Sequence, residues 1–463
     1  MGCMGLINRG SNVGPRLTHP SIGASNKTPA EVRGNRNIMI TTQVAGATNP
    51  AGERPVRWLI LLCLLVSSIC SGISQISFST IIGDVSHDLG ISLGVASFGL
   101  FGIMIFVTAL GMCLSGFVLD RVGVFTILLV SQAIFILSFL LLPVLGQHFP
   151  ALVALRVLQG LAAAGVAVSV TPAVASWFPD REMGRAMGIQ AMGMPIGMMV
   201  GLLATPRLVE ATGHWQSGLA CLSALGFVAL GLTLFVVRMA GPGLLARPDR
   251  LPGHEAHGAP SMAAVFTMPE FWGGLIISAI LFGTGFTFND LAPGFLAVAP
   301  PVGAGYGPEA AGKLMSVNVL MGLGAPLLAG FMVDKLFGGR SKPVIVLGWL
   351  LSLLMPSVLL SFVHGSQAAL LPVLIVGGLA NPFIAITLMS FAAKTFPVAV
   401  VGRVAGLWLS VSFFAAAFCT MGGSLVLHGT GGYAWPIALT GIGSVIGLVV
   451  SVLLKFEPRK VEA

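Results

Sequence analysis

The chain has 463 residues, of which 55% are hydrophobic and only 9% are charged, and its mean hydropathy is +0.94. A soluble globular protein spends about 25% of its residues on Asp, Glu, Lys and Arg. The composition therefore excludes a soluble protein and indicates that lipid surrounds most of the chain. The formal net charge of +8 does not indicate a nucleic-acid partner, because the sequence has 2 Tyr and no basic stripe interleaved with aromatic residues.

Apolar segments long enough to cross a membrane follow one another from Trp58 onward. A hydrocarbon core of about 30 Å requires about 20 residues of helix. The segments of this length predict twelve transmembrane helices, over residues 57–83, 92–118, 124–145, 149–175, 186–206, 215–238, 271–298, 310–334, 343–363, 368–393, 403–427 and 433–455. The predicted organisation is a disordered tail (1–54), a six-helix bundle (55–238), a linker rich in Pro, Gly and His (239–270), a second six-helix bundle (271–455) and a short tail (456–463).

Lys and Arg residues lie almost entirely on one side of the predicted helices. Outside the N-terminal tail, 16 of them fall on the side of the termini, whereas the opposite side has Arg207 and Lys313. Cytoplasmic loops of membrane proteins carry an excess of Lys and Arg. This asymmetry predicts a multi-pass protein of an inner or plasma membrane, with both termini and the linker in the cytoplasm. We call the side of Arg207 and Lys313 the predicted outer side.

Two sequence patterns occur twice in the chain. Gly116–Arg121 (GFVLDR), after the second predicted helix, is repeated 214 residues later as Gly330–Lys335 (GFMVDK). Phe178–Pro179 and the Gly-Arg pair that follows it are repeated 218 residues later, beginning at Phe396–Pro397. Duplicated halves in the same orientation are typical of transporters whose substrate site lies between the halves. The repeat favours an all-α polytopic membrane protein built as two six-helix pseudo-repeats.

Three motifs give the chain a resemblance to the major facilitator superfamily over roughly residues 55–457. Gly116–Gly123, with its repeat at Gly330–Gly339, resembles the superfamily's Gly-x-x-x-Asp-Arg-x-Gly loop. Arg156–Gly160 resembles its fourth-helix Arg-x-x-x-Gly motif, and Trp177–Ala186 looks like a loop of the anion:cation symporter branch. The resemblance implies the major facilitator fold and alternating access. The gating residues that it implies are Gly116, Asp120, Arg121, Gly123, Gly330, Asp334 and Lys335.

Glycines recur every fourth residue in the fifth predicted helix, at Gly193, Gly197 and Gly201. This stretch resembles an antiporter motif of the superfamily but has Gly-Met-Pro where Gly-Pro is expected. Small residues at this spacing let two membrane helices approach closely. We therefore interpret the three glycines as a helix-packing ridge.

Arg156 and Asp290 are the two charged residues clearly inside the predicted spans. Charge within a membrane is costly and marks functional residues. Each lies seven or eight residues below the outer end of its helix, which at 1.5 Å per residue is roughly 10–12 Å deep. Arg156 has two possible interpretations. It is either a cation that binds an anionic solute or takes part in proton coupling, or a hydrogen-bond hub for backbone carbonyls of the first helix. Asp290 is either a titratable coupling carboxylate or an interfacial residue at a helix break near Asn289 and Pro293.

Uncharged polar residues also recur inside the predicted helices. Ser67, Ser71, Ser74 and Gln75 lie on one face of the first helix. Each such residue alone is typical of an interhelical hydrogen bond. Together, on helices that line the cavity in the superfamily, they favour a polar central path. The candidate substrate and coupling residues are Arg156, Gln159, Asp290, Asn289, Gln75, Ser71, Asn318 and Asn381.

The sequence has no nucleotide-binding loop, catalytic triad or metal-ligand cluster, so we expect no cofactor, no metal and no enzymatic activity. The hypothesis is a secondary active transporter that works by alternating access in a lipid bilayer. Its solute is predicted to be a small organic anion that moves with a proton. Two alternatives stay open: proton-coupled efflux of an apolar compound, and a non-transporting membrane sensor with the same fold.

Overall fold

The structure is a computed structural model that describes residues 54–240, 262–338, 340–362 and 367–454. From the N-terminus its helices are α1 (Arg54–Ile76), α2 (Ile82–Leu89), α3 (Leu93–Ser97), the π-helix π1 (Phe98–Gly102), α4 (Ile103–Val122), α5 (Val124–Leu140), α6 (Leu142–Leu145), α7 (Phe149–Trp177), α8 (Asp180–Ala191), α9 (Gly193–Thr212), α10 (Trp215–Cys221) and α11 (Ser223–Ala240). They continue with α12 (Met262–Phe266), α13 (Pro269–Ala297), α14 (Gly307–Phe331), the π-helix π2 (Met332–Leu336), α15 (Lys342–Phe362), α16 (Gln367–Gly378), α17 (Ala380–Thr395), α18 (Val398–Thr430) and α19 (Ala434–Leu453). The predicted tails and most of the linker lie outside the described residues.

Every predicted span corresponds to a helical stretch of the structure. Within the described residues, eleven stretches are long and apolar enough to cross a membrane. The third predicted span is α5, an apolar helix of 17 residues that α6 extends. No strand occurs in the described ranges. The architecture is therefore that of an all-α bundle, as predicted.

Several helix boundaries differ from the prediction by five to seven residues, and two of these differences have a local chemical reason. The first span was expected to reach residue 83, but α1 ends at Ile76. The hydroxyl group of Ser79 donates to Ile76 O at 2.7 Å, and hydroxyl side chains in such turns compete with helical backbone bonding. The fifth span was expected to begin at residue 186, but α8 already begins at Asp180. Glu182 in its first turn is favoured by the helix dipole and forms an ion pair with Arg57 at 2.8 Å.

The predicted glycine ridge packs closely against α1. A Cβ atom at Gly197 would lie 2.0 Å from Ile69 O, and one at Gly193 would lie 2.7 Å from Ser68 Cβ. On the facing helix, a Cβ atom at Gly72 would lie 2.2 Å from Met194 O. The absence of side chains on both surfaces thus permits backbone contact between α1 and α9, as in other small-residue membrane interfaces.

We expect Gly197→Ala to lower the free energy of unfolding in detergent by about 1–3 kcal/mol, because the added methyl group displaces the backbone of α1. Gly188→Ala in α8 is the matched control, since no atom outside its chain neighbours and its own helix backbone lies within 4 Å of its Cβ position. That control is expected to raise stability slightly, as alanine does in helices. Thermal unfolding of both purified variants measures the difference. Equal stabilities of the two variants would contradict close packing at Gly197.

Helices from before and after the linker meet near the predicted outer side. α18 packs against α3, π1 and α4, and α14 packs against α9. A Cβ atom at Gly102 would lie 2.6 Å from Met421 Cγ, and one at Gly312 would lie 2.1 Å from Leu202 O. Near the predicted outer side, the backbone of one half therefore contacts the backbone or a side chain of the other half. We call the contact of α18 with α3, π1 and α4 the outer interface.

The short helix α2 is fixed near the same side by a polar contact. Trp215 Nε1 donates to Asp88 Oδ2 at 2.8 Å. Burial, together with the charge of Asp88, raises the pKa of Asp84, whereas His87 lowers it. Asp84 therefore keeps a proton to a higher pH than a fully solvated aspartate.

Candidate functional site

The guanidinium group of Arg156 is a hydrogen-bond hub between three helices. Its side chain on α7 is fully buried. Arg156 Nε donates to Leu100 O in π1, and Nη1 donates to Ser74 O in α1 and to Gln159 Oε1, both at 2.6 Å. The remaining nitrogen, Nη2, has no partner among the described residues. Arg156 thus connects α7 to α1 and π1 by hydrogen bonds, which is one of the two roles considered for it from the sequence. Its Nη2 donor stays without a partner among the described residues.

Two aromatic rings enclose the same guanidinium group. Its central carbon lies 4.9 Å from the ring centroid of Phe78 and 5.5 Å from that of Phe101. A cation over an aromatic face is attracted by the negative potential of the ring. These contacts compensate part of the cost of burying Arg156.

Asp290 lies on α13 and is 3% exposed. Ser97, the last residue of α3, donates to Asp290 Oδ2 at 2.6 Å. Ser97 Oγ also lies 2.7 Å from Ser424 Oγ on α18. Asp290 Oδ1 has no partner among the described residues. At the outer interface, the hydroxyl group of Ser97 from the N-terminal half therefore lies between two side chains of the C-terminal half.

Arg156 and Asp290 act on each other without forming an ion pair in the described structure. They are close enough for electrostatic interaction. The segment from Ser97 to Leu100 connects them, because Ser97 binds Asp290 and Leu100 O binds Arg156. Leu100 lies within π1. Single π-helical turns inside membrane or soluble helices often mark functional sites.

A central cavity of about 300 Å³ lies next to these groups on the side away from the predicted outer side. Its lining is mostly apolar and includes Phe286 and Phe413 from the C-terminal half. The polar lining residues are Ser68, Ser71, Gln75, Thr108, Thr171 and Gln190. No charged residue is among the lining residues that the structure describes. The site therefore suits a small, largely apolar solute with a few hydrogen-bonding groups.

The buried charges border this cavity at its outer end. Gln75 lines the cavity, and the preceding Ser74 gives its carbonyl to Arg156. Phe286 lines the cavity one helical turn before Asp290 on α13. Neither charge is itself among the lining residues.

The remaining predicted residues lie in a separate place. Asn289, Asn318 and Asn381 line a small pocket of about 30 Å³ within the C-terminal helices. Asn318 Nδ2 also donates to Leu374 O at 3.0 Å. The candidate substrate and coupling residues are thus distributed over three locations: Ser71 and Gln75 in the cavity, Arg156, Gln159 and Asp290 beyond its outer end, and the three asparagines in the small pocket.

The predicted gating loops are described only in part. Asp120 falls at the end of α4 and Asp334 within π2, but their side chains, like Gly116, lie outside the described set. Gly123 follows α4 with φ of +83°, a conformation that favours glycine. Arg121 is exposed in the last turn of α4, Gly330 lies in α14 and Lys335 in π2. The gating role stays a prediction.

Several polar contacts were not predicted from the sequence. Ser97 and Ser424 bind at the outer interface, and Gln190 Nε2 donates to Ser68 Oγ at 2.6 Å beside the cavity. Thr108 donates to Met104 O at 2.9 Å and to Gly160 O at 3.2 Å. Isolated hydroxyl residues in apolar runs are common because they can donate to their own helix. Their sequence signal was therefore weak.

Comparison with known proteins gives consistent matches along the chain. A family model described as Major Facilitator Superfamily matches residues 64–338 and 294–463. The probable anion transporter 3, chloroplastic, of Arabidopsis thaliana is 30% identical over 159 residues, which are 34% of this chain and 30% of that protein. The fujikurins efflux protein of Gibberella fujikuroi is 24% identical over 306 residues, which are 58% of this chain and 60% of that protein. The matches thus span 30% and 60% of the length of these two relatives.

One solved structure has the same overall arrangement. It is a bacterial homologue of the human lysosomal transporter Spinster, described as inward-facing and unoccupied. The TM-score is 0.66 at 14% sequence identity, and the match covers 86% of this chain and 97% of that chain. At this identity the likeness concerns the fold alone. It confirms the predicted fold class, an all-α polytopic protein with twelve membrane helices.

Proposed function

Because the chain belongs to the Major Facilitator Superfamily, we propose that it carries a small organic acid across a membrane together with a proton, by alternating access. The proposal keeps the organic-anion hypothesis and adds that the solute has an apolar body. One observation carries it: an uncharged central cavity is bordered by two buried charges, Arg156 and Asp290, one from each half of the chain.

The distribution of contacts supports alternating access. The two halves are packed together near the predicted outer side through α18 and α14. The cavity lining extends the other way, to Thr171 on α7 and Met187 on α8. A bundle that is closed at one end and hollow toward the other corresponds to one end state of a rocking transporter. The two moving bodies would be the halves 55–238 and 271–455.

The chemistry of the cavity supports an acid that travels with a proton. The lining offers hydroxyl and amide groups but no cation among the described residues. An anion that leaves water for such surroundings loses its hydration without gaining a counter-charge. A proton that moves with the anion removes this penalty. The apolar lining, with Phe286 and Phe413, stabilises the body of the solute by excluding water from it.

Arg156 and Asp290 would have different roles in coupling proton movement to solute transport. Arg156 holds α1, π1 and α7 together and keeps one unpaired donor. Asp290 lies in the other half and carries an exchangeable proton in this proposal. Because Arg156 and Asp290 interact electrostatically, a change of charge on one alters the free energy of the other. Proton movement and helix movement are thereby linked.

The test is uptake into proteoliposomes of a labelled aromatic monocarboxylate and of its neutral amide, which has the same shape. We expect the acid to accumulate when the lumen is made alkaline, and the amide to show no response to the gradient. Ala167→Trp, which fills the cavity from α7, should abolish this uptake. Leu161→Trp on the same helix is the matched control, because Leu161 is 43% exposed on the outside of the bundle.

Export of an apolar compound is the second candidate, because the cavity lining is mostly apolar and one relative is named an efflux protein. Equal transport of acid and amide, with no effect of the pH gradient, would overturn proton-coupled uptake of an acid and favour this candidate. A complete absence of transport of a broad solute panel would favour the sensor alternative.

The membrane orientation and the gate belong to the same proposal. Both termini would lie in the cytoplasm, in an inner or plasma membrane, as the distribution of Lys and Arg predicts. Asp120 and Asp334 would hold the cytoplasmic end closed in the opposite end state. The partners are the bilayer, the solute and protons.

A further inference from the structure

We propose that Ser97 and Ser424 form a hydroxyl relay that connects the proton on Asp290 to the closure of the outer interface. The relay consists of Asp290, Ser97, Ser424 and Thr420 O. Its role in transport depends on the proposed function, whereas its hydrogen-bond chemistry can be tested without it. The consequence is that protonation of Asp290 changes the bonding between the two halves directly.

The relay crosses the outer interface in a buried place. Ser97 and Ser424 are fully buried, and Asp290 is 3% exposed. Ser97 Oγ lies 2.6 Å from Asp290 Oδ2 and 2.7 Å from Ser424 Oγ. Ser424 Oγ lies 2.8 Å from Thr420 O, one turn earlier on α18. The four groups form a continuous chain of polar contacts of 2.6 to 2.8 Å.

A count of protons gives the chain two arrangements. Each serine hydroxyl group has a single proton to donate. With Asp290 ionised, Ser97 donates to the carboxylate, and the single proton of Ser424 goes either to Ser97 or to Thr420 O but not to both. With Asp290 protonated, the carboxyl group donates to Ser97, Ser97 donates to Ser424, and Ser424 donates to Thr420 O.

The protonated arrangement is the better one for a closed interface. It makes three hydrogen bonds and buries no charge, whereas the ionised arrangement makes two and buries a carboxylate. Buried charge without a paired cation is costly. Closure of the outer interface thus favours the proton on Asp290, and loss of the proton favours separation of Ser97 from its two C-terminal partners.

Other charged and titratable groups surround α13. Arg156 on α7 and Tyr433, just before α19, are those that interact electrostatically with Asp290. The remaining groups on helices that pack against α13 are Arg403, Cys419 and His428 on α18, Glu309 and Lys313 on α14, Lys394 on α17, and Asp84, His87 and Asp88 on α2. His428 binds Ser92 at 2.7 Å, and Glu309 pairs with Lys313 at 2.8 Å.

The relay predicts that Ser424→Ala changes the titration of Asp290 only while Ser97 connects the two residues. The measurement is the pH dependence of the infrared band of its protonated carboxyl group in purified protein, identified as the band that Asp290→Asn removes. Ser97→Ala deletes bonds of both arrangements and disconnects Ser424 from Asp290, so Ser424→Ala should leave the midpoint unchanged when it is combined with Ser97→Ala. Ser424→Ala deletes two bonds of the protonated arrangement and one of the ionised arrangement. Its midpoint should move to lower pH by about half a unit or more, the equivalent of one hydrogen bond.

Ser412→Ala is the matched control. Ser412 is also fully buried on α18, donates to Trp408 O at 2.6 Å and lies 2.8 Å from Ser278 on α13. It has the same kinds of contact as Ser424 without a link to Asp290. The midpoint in this variant should equal that of the wild type, which excludes a general effect of removing a buried hydroxyl group.

No shift to lower pH in Ser424→Ala, or an equal shift when Ser97→Ala is also present, would overturn the relay, as would the absence of any band that Asp290→Asn removes. Uptake measured in the same variants separates this result from the proposed function. A shift in Ser424→Ala that requires Ser97, together with pH-independent uptake, would support the relay and reject proton symport. Uptake that requires Asp290, without such a shift, would reject the relay and leave symport standing.

Discussion

Arg156→Gln is expected to lower both the stability of the protein and the uptake of an organic acid, with uptake at least about 100-fold below wild type. The substitution removes the donors to Leu100 O and Ser74 O and leaves these carbonyl groups buried. Hydrogen bonds from a charged group contribute about 1.5–3 kcal/mol each, and 1.4 kcal/mol corresponds to a factor of ten. The cation–π contacts with Phe78 and Phe101 are lost as well.

Arg156→Lys separates the two roles of this residue. The ammonium group retains the charge but lacks the planar fork that reaches three acceptors from one position. We expect it to lose most of the stability that Arg156→Gln loses. Uptake, solute affinity and thermal unfolding are measured on each variant. If Lys restored uptake fully without restoring stability, charge alone would be required for transport.

Arg207→Gln is the control for the removal of an arginine. Its side chain is 60% exposed and lies 3.7 Å from Glu309, so the pair contributes little to stability. Wild-type stability and uptake are expected in this variant. Wild-type behaviour of Arg156→Gln itself would contradict both the hub and any role of Arg156 in transport.

Asp290→Asn is expected to abolish uptake driven by a pH gradient while exchange of internal for external solute continues at a rate close to that of the wild type. Asparagine keeps the shape of the side chain and an oxygen that accepts from Ser97, but it cannot release a proton at physiological pH. Exchange needs no net movement of protons, so it does not require a titratable group. The measurements are uptake at several lumenal pH values and counterflow of labelled solute.

Glu309→Gln is the matched control for Asp290→Asn. Glu309 is an acid of the same half, but its side chain is 48% exposed and pairs with Lys313. Its replacement should leave the response to the pH gradient unchanged. Uptake by Asp290→Asn that still follows the gradient would place the coupling group elsewhere, and loss of exchange as well would indicate a structural defect.

Most of the fold could be predicted from the sequence because membrane helices carry a long, local signal. An apolar run of about 20 residues indicates a span whatever its neighbours are, since every backbone group is satisfied within the helix. Predicted ends were inaccurate where local polar contacts decide them, as the hydroxyl bond of Ser79 does at Ile76 and the ion pair of Glu182 does near Asp180. Arg156 and Asp290 could be singled out because a charge inside such a run is rare and costly.

The sequence by itself thus determined the helices, the duplication, the helix-packing ridge and the two buried charges. Only the tertiary structure decided which polar residues meet. Ser97 and Asp290 are 193 residues apart along the chain, and Asp290 and Ser424 are 134 residues apart. Asn318 and Gln75 had both been assigned to one polar path, but they line two different cavities. Periodicity fixes which residues share a helix face, but the rotation of one helix against another depends on close packing, which in this protein places glycine against backbone. A serine in an apolar run looks the same in the sequence whether it bonds to its own helix or holds two halves together.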